Sequence, residues 1–278
     1  RMDIFPILSP EDIIQYSTIP ALSASDNFLS PPHIIYITMP VSFSTHCVST
    51  HPLEEALEAL APHTSHVELM NDGRHYIETA ESLLSHTFTY SIHAPARSVN
   101  IASVLEPMRK AAVEIICDSI ELAVSANAKT VVFHPGYYAF TEEYEKAVSA
   151  LKTSLSAISA YAEDAGVSAC VENMGNWGYF FLKETDDVSL IGDTPFCLDI
   201  GHANECGTLD AFLDVPFSHI HIHGNDGTSD SHAALGEGNI NMTAVCEAVR
   251  RYGVSCPVIE CGTLDASLAS KKVLEALL

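Results

Sequence analysis

From residue 33 onward the chain alternates between short runs rich in Val, Ile, Phe and Cys and longer stretches whose apolar residues recur at helical spacing. HIIYITMP (33–40), SHVELM (65–70), TYSIHAP (89–95), KTVVFHPG (129–136), VSACVENMG (167–175), PFCLDIGH (195–202), SHIHIHG (218–224) and CPVIECG (256–262) read as strands. Between them LEEALEALAPH (53–63) has a helical period, and an ambiguous pattern follows near 75–86. In EPMRKAAVEIICDSIELAVSAN one stripe carries Val113, Ile116, Ile120 and Ala123. TEEYEKAVSALKTSLSAISAYAEDAG predicts a helix with Thr141 as N-cap and Gly166 as its stop. A weaker helix around 183–191, the short LDAFLD, then NMTAVCEAVRRYG and DASLASKKVLEALL complete the series.

Eight strand–helix units predict an α/β fold, a single (β/α)8 TIM barrel over 33–278, with residues 1–32 as an N-terminal extension packed on it. The strand runs are apolar nearly throughout, as expected of strands covered on both faces. A doubly wound open sheet is the alternative, but no GxGxxG or GxxxxGK[ST] phosphate loop occurs in the chain.

Charge narrows the partners. The 278 residues hold 13 Lys+Arg against 36 Asp+Glu, a formal net charge of -23. The loops expected after the strands offer as cations Arg74, Arg97 and Lys183, beside Asp72, Glu205, Asp210, Asp226, Asp230, Glu237 and Asp265. A DNA-duplex binder neutralises roughly 6–10 phosphates with basic side chains, so nucleic acid is disfavoured and a small molecule or a metal ion suits the chain better. The eight cysteines form no CxxC pair and sit mostly in apolar runs, which predicts buried free thiols. No apolar run approaches the ~18 residues that span a bilayer, and no basic start precedes an apolar stretch; a cytoplasmic protein without a membrane partner is expected, and a homo-oligomer is compatible with the sequence.

The ends of the strands carry the chemistry. His93, His134, Glu172, Asp199 with His202, His221 or His223, and Glu260 fall at the C-terminal ends of six consecutive strands, the rim where barrels of this class place their sites. Carboxylates entering such a rim with almost no Lys or Arg nearby are costly to desolvate unless a cation neutralises them. Mixed imidazole and carboxylate donors suit Zn or Mn better than Ca or Mg. His219, on the same strand face as His221, is expected deeper in the barrel.

FHPG, VENMGNWG, FCLDIGHANE, HIHIHGND and DSHAALGEG, spread over about residues 65–262, resemble the xylose isomerase-like barrel superfamily, which includes sugar and sugar-phosphate isomerases and epimerases and also endonuclease IV. HAPARSVN resembles its sugar phosphate isomerase/epimerase branch. The resemblance implies a core metal site of Glu172, Asp199, His221 and Glu260. In the endonuclease IV pattern it implies a second metal on His93, His134 and Glu172, and a third on His202, Asp230 and His232. All nine positions hold the required residue type.

Two activities follow as expectations. In the first, a metal-dependent isomerase or epimerase acts on a small sugar or sugar phosphate. Glu172 and Glu260 serve as acid and base and His202 orients a hydroxyl, while Arg97, Trp177 and His223 contact the substrate. In the second, three metals run a phosphodiesterase or phosphatase. A metal-binding barrel without activity is the third reading, since one fold serves many functions.

Overall fold

The computed structural model describes residues 39–278. In it eight parallel strands close into a barrel in chain order. They are β1 (Ser42–Ser44), β2 (His66–Met70), β3 (Thr89–His93), β4 (Thr130–Phe133), β5 (Ser168–Glu172), β6 (Phe196–Asp199), β7 (His219–Ile222) and β8 (Val258–Ile259). The ring closes at β1, where Phe43 stands opposite Val67 on one side and Ile259 on the other. Around it run α1 (Leu53–Leu60), α2 (Glu81–Leu84), α3 (Glu106–Ser125), α4 (Tyr144–Ala165), α5 (Ile200–Glu205), α6 (Leu209–Phe212), α7 (Met242–Tyr252) and α8 (Leu264–Leu277).

Successive side chains of a strand point to opposite faces, and here the two faces differ in kind. Phe43, Val67, Leu69, Ile92, Val131, Phe133, Val171, Leu198, Ile220 and Ile259 turn outward and pack with Leu57, Ile116, Ile120, Leu151, Ile158, Val245 and Leu274 of the helices in one continuous core. Each such side chain contributes roughly 1.5–3 kcal/mol on burial. Inside the barrel, Val132, Cys170 and Cys197 form a small separate apolar group. Ser44, Glu68, Ser91, His93, Glu172, Asp199, His219, His221 and Glu260 meet one another there through polar contacts.

Several elements depart from the sequence pattern. Residues 1–32 and most of the run 33–40 lie outside the described residues, and the first barrel strand is the triplet Ser42–Ser44, too short and too polar to show a period. Thr141 does not cap a helix: it opens a 3-10 turn (Thr141–Glu143) that leads into α4. Gly166 ends α4 in the left-handed conformation, φ 67°, as expected. The run 183–191 forms a 3-10 stretch, Thr185–Leu190, instead of an α-helix. IGH belongs to α5 and not to the strand before it, because the Asp199 carboxylate accepts from the His202 amide and starts the helix there. All eight cysteines are free thiols. Among the described residues no helix is long and apolar enough to cross a membrane.

Candidate metal centre at the barrel mouth

The C-terminal ends of β3 to β8 bring the predicted residues into three groups whose ligand atoms, within each group, lie within 4.8 Å of one another: Glu172, Asp199, His221 and Glu260; His93, His134 and Glu172; and His202, Asp230 and His232. Glu172, the last residue of β5, belongs to two of them. Its Oε1 lies 2.8 Å from His221 Nδ1. Its Oε2 lies 3.3 Å from His93 Nε2 and 3.2 Å from His134 Nε2. Depth falls across the groups: the side chains of His134, His232 and Asp230 are 19%, 17% and 15% exposed, whereas Asp199 and His221 are at 0%.

Three imidazoles are held in the same way. His93 Nδ1 donates to the carbonyl of Ala94 at 2.8 Å, His202 Nδ1 to that of Asn173 at 2.9 Å, and His232 Nδ1 to that of Glu260 at 2.6 Å. Each pairing places a proton on Nδ1 and turns Nε2 toward the group's carboxylate, to which it donates when protonated and beside which its lone pair could meet a cation when it is not. His202 and His232 both present Nε2 to Asp230 Oδ2, at 3.4 and 3.1 Å. His232 adopts φ 45°, a left-handed conformation uncommon for a non-glycine residue, in making this arrangement.

The electrostatics are those of carboxylates sheltered by imidazoles. Burial pushes the Glu172 carboxyl up, but His221, His134 and His93 outweigh it and hold the group well below the usual range. Asp199 is likewise lowered against its burial, by His202 and His223. Burial alone would lower His93 and His232; instead Glu172 raises the first to about 9, and Asp230 raises the second to about 9. Among the described residues no Lys or Arg pairs with these carboxylates; their ionic partners are histidines. Asp230 Oδ1 is buried without a hydrogen-bond partner. A set of carboxylate oxygens and imidazole nitrogens, with an acceptor left unsatisfied, fits a divalent cation that would displace the Nε2 protons.

The remaining predicted residues scatter. His223 is fully buried beneath Asp199, its Nε2 3.1 and 3.2 Å from the two carboxylate oxygens, and its ring stacks on His232 at 4.0 Å. His221 joins the core group, whereas His223 lies against Asp199. Gly201 makes that contact fit, since a Cβ there would lie 1.9 Å from His223 Cε1. Trp177 stands 37% exposed with its ring edge-on to His202 at 5.7 Å. Arg97 lines a cavity of about 430 Å³ with His46, Asp72 and Arg74. Asn173 ties β5 to β6 by accepting from the Asp199 amide and donating to its carbonyl, at 2.7 and 2.9 Å.

Three residues escaped the sequence reading. Ser44 donates to Glu260 Oε1 at 3.2 Å. His46 meets His232 edge-on at 4.6 Å. Glu68, at 0% exposure, lies within the barrel between His219 and His221. Its signal was a lone charge in the middle of HVELM, where attention to strand ends does not reach.

A closed parallel barrel with acid and imidazole groups gathered at its C-terminal mouth is the architecture of a (β/α)8 enzyme scaffold. The chain belongs to the xylose isomerase-like TIM barrel family, which matches residues 55–277. A Methanocaldococcus jannaschii relative, the uncharacterized protein MJ1614, is 34% identical over 197 residues, covering 68% of this chain and 78% of its own. A probable endonuclease 4 of Mycobacterium tuberculosis is 26% identical over 205 residues, covering 68% and 78%. Among solved structures, a D-tagatose 3-epimerase-like protein superposes with TM-score 0.80 at 28% identity, covering 86% of this chain and 97% of its own. The IOLI protein, solved with a bound zinc atom, shares the fold with TM-score 0.72 at 17% identity, covering 86% and 99%.

Proposed function

We propose that the protein is a divalent-cation-dependent isomerase or epimerase of a small sugar or sugar phosphate. One observation carries the reading: Glu172, Asp199, His221 and Glu260 converge to within 4.8 Å with imidazoles as their ionic partners. These four residues hold the cation, zinc or manganese by donor type. A cation bound there would supply Lewis-acid polarisation of a substrate carbonyl and its neighbouring hydroxyl. The similarity to a D-tagatose 3-epimerase-like protein supports a carbohydrate substrate.

The proton chemistry falls to the protein. Glu172 ends β5 and Glu260 follows β8, so the two carboxylates approach from different arcs of the ring. One removes the proton from the carbon beside the carbonyl and keeps it, while the other, entering protonated, donates its own proton to the opposite face, so the two exchange protonation states in a turnover. Glu172, kept ionised by His221, His134 and His93, suits the role of base. His202, fixed by the Asn173 carbonyl, offers Nε2 to a sugar hydroxyl. Trp177 beside it forms an apolar wall for the ring. Arg97 serves the phosphate of a phosphorylated substrate, and His223 acts by holding Asp199 in place instead of touching the sugar.

A second reading, phosphoric ester hydrolysis at a three-cation site, is favoured by the completeness of the two outer groups and by the similarity to probable endonuclease 4. The net charge of -23 turns that reading away from duplex DNA. Protein loaded with manganese or zinc and incubated with ketoses in deuterated water separates the two. Deuterium at the carbon next to the carbonyl is the expected result. No exchange with any ketose or ketose phosphate, together with cleavage of bis(p-nitrophenyl) phosphate, overturns it in favour of hydrolysis.

A further inference from the structure

His221 differs from the other imidazoles at the mouth. His93, His202 and His232 each rest Nδ1 on a backbone carbonyl and turn Nε2 to their group. His221 is reversed: Nδ1 faces the core group, 2.8 Å from Glu172 Oε1 and 3.3 Å from Glu260 Oε2. The reason is its position. The other three lie at or beyond strand ends, where free carbonyls turn inward. His221 lies inside β7 with partners on both sides, Asp199 and Val258, so the main chain around it is engaged in the sheet. Its outer nitrogen therefore needs a side chain.

Glu68 supplies one. It stands on β2 opposite Ser44 and Ser91, and its Oε1 lies 2.7 Å from His221 Nε2. The contact is a close ion pair that falls short of hydrogen-bond alignment, and both atoms are buried with no hydrogen-bond partner, so each is left to the other. The other oxygen, Oε2, accepts from Ser91 Oγ at 2.7 Å and faces His219 Nε2 at 2.7 Å. With two partners on Oε2, the carboxylate cannot rotate without breaking them. An interior of this kind is normally filled by branched apolar side chains, and a fully buried carboxylate costs several kcal/mol unless it is well paired. The packing of β2 does not require it: Val67 and Leu69, on the outward face, supply that strand's share of the core.

We infer that Glu68 is a positioning residue: held by Ser91 and His219, it keeps the proton of His221 on Nε2 and so presents the Nδ1 lone pair to the cation site. The inference rests on the proposed reading of Glu172, Asp199, His221 and Glu260 as cation ligands. A ligand imidazole commonly gives its second nitrogen to a carboxylate, and loss of that partner weakens metal affinity about 10–100-fold. Gln has the shape of Glu but one acceptor in place of two, so Glu68→Gln leaves at least one of the three donors around it unmatched. If its amide nitrogen faces His221, the imidazole proton is driven to Nδ1, where it blocks coordination.

The test uses the full chain, stripped with a chelator and titrated with cobalt(II), whose visible absorption reports coordination. Wild-type protein is expected to bind cobalt with a distinct spectrum. Glu68→Gln should bind it 10–100-fold more weakly with an altered spectrum, while the metal-free variant still melts cooperatively. Unchanged cobalt affinity and spectrum, with or without a lower melting temperature, would reduce Glu68 to packing and overturn the inference alone. Wild-type protein that binds no cobalt overturns the proposed function as well. A measurement on unmutated protein decides the matter should the variant not fold. In the zinc-loaded protein, imidazole nitrogen-15 resonances, with His221 assigned by its loss in His221→Asn, should show Nδ1 as ligand and Nε2 bearing the proton. A proton on Nδ1, or zinc on Nε2, overturns the inference.

Discussion

Ile220 and Ile222 turn outward from β7 and are fully buried against helix side chains, while His219 and His221, at alternate positions of the same strand, are also buried but meet carboxylates. Adjacent buried residues thus serve opposite ends. Outward burial removes apolar surface from water and adds stability. Inward burial strips hydration from charges, and it is tolerable because each carboxylate finds imidazoles and each imidazole finds a carboxylate or carbonyl. The barrel separates the two by one residue of strand period, so that stability and chemistry can be changed independently.

The sharpest way to break that separation is Glu172→Gln. It removes the residue shared by two groups and should lower turnover by about 10³-fold or more, about 4 kcal/mol in activation free energy, with reduced cation content by elemental analysis. A proton-exchange assay that finds more than a tenth of wild-type activity refutes the base assignment. On the outward face, Ile220→Ala should cost about 3 kcal/mol in a urea melt and leave cation stoichiometry as it was, although it lies next to His221. Loss of cation together with stability would show that the faces are not independent.

Gly201→Ala probes the boundary between the faces. Its Cβ would overlap the buried ring of His223, so a cost of about 1–3 kcal/mol is expected, with weaker cation binding because His223 holds Asp199. A smaller effect belongs to pH. In the metal-free protein His93 and His232 titrate at about 9, above the ordinary 6.5. Their stabilising contribution is complete below about 6.5 and is lost as pH rises through 9. Cation binding at Nε2 displaces those protons, so affinity should rise over the same interval. Melting temperature of stripped protein and competition with a chelating dye should therefore move in opposite directions between pH 6.5 and 9. Last, His134→Ala, at the exposed edge of its group, should leave the urea midpoint nearly unchanged while lowering bound cation by one per chain if the outer groups fill. Unchanged stoichiometry confines the site to the core group.

The barrel was legible because outward strand positions are apolar and the helices between them are periodic; α3 and α4 declare themselves in Ile116, Ile120, Leu151 and Ile158. The candidate groups His93, His134, Glu172, Asp199, His202, His221 and Glu260 stood out because charge at the end of an apolar strand is costly without a partner, whereas Asp230 and His232, in the loop after β7, were pointed to only by the resemblance of DSHAALGEG. Ser42–Ser44 was not, since a strand of three residues has no period to read and takes its conformation from β2 and β8. Glu68 was not, since its meaning depends on His219 and His221, 151 and 153 residues away along the chain. Thr141 misled because Ser and Thr favour helix starts in general, while here a 3-10 turn comes first.

The closing seam has a consequence for how this molecule breathes. β1 and β8 meet over a ladder of two registered pairs, Ser42 with Val258 and Phe43 with Ile259, and Glu260 is the next residue after that ladder ends. Ser44, on the other edge of the seam, holds the Glu260 carboxylate. Any momentary parting of these two short edges carries Glu260 away from Asp199 and His221. Amide hydrogen exchange at Phe43 and Ile259 should therefore gauge the mouth, faster in stripped protein than after a cation is added.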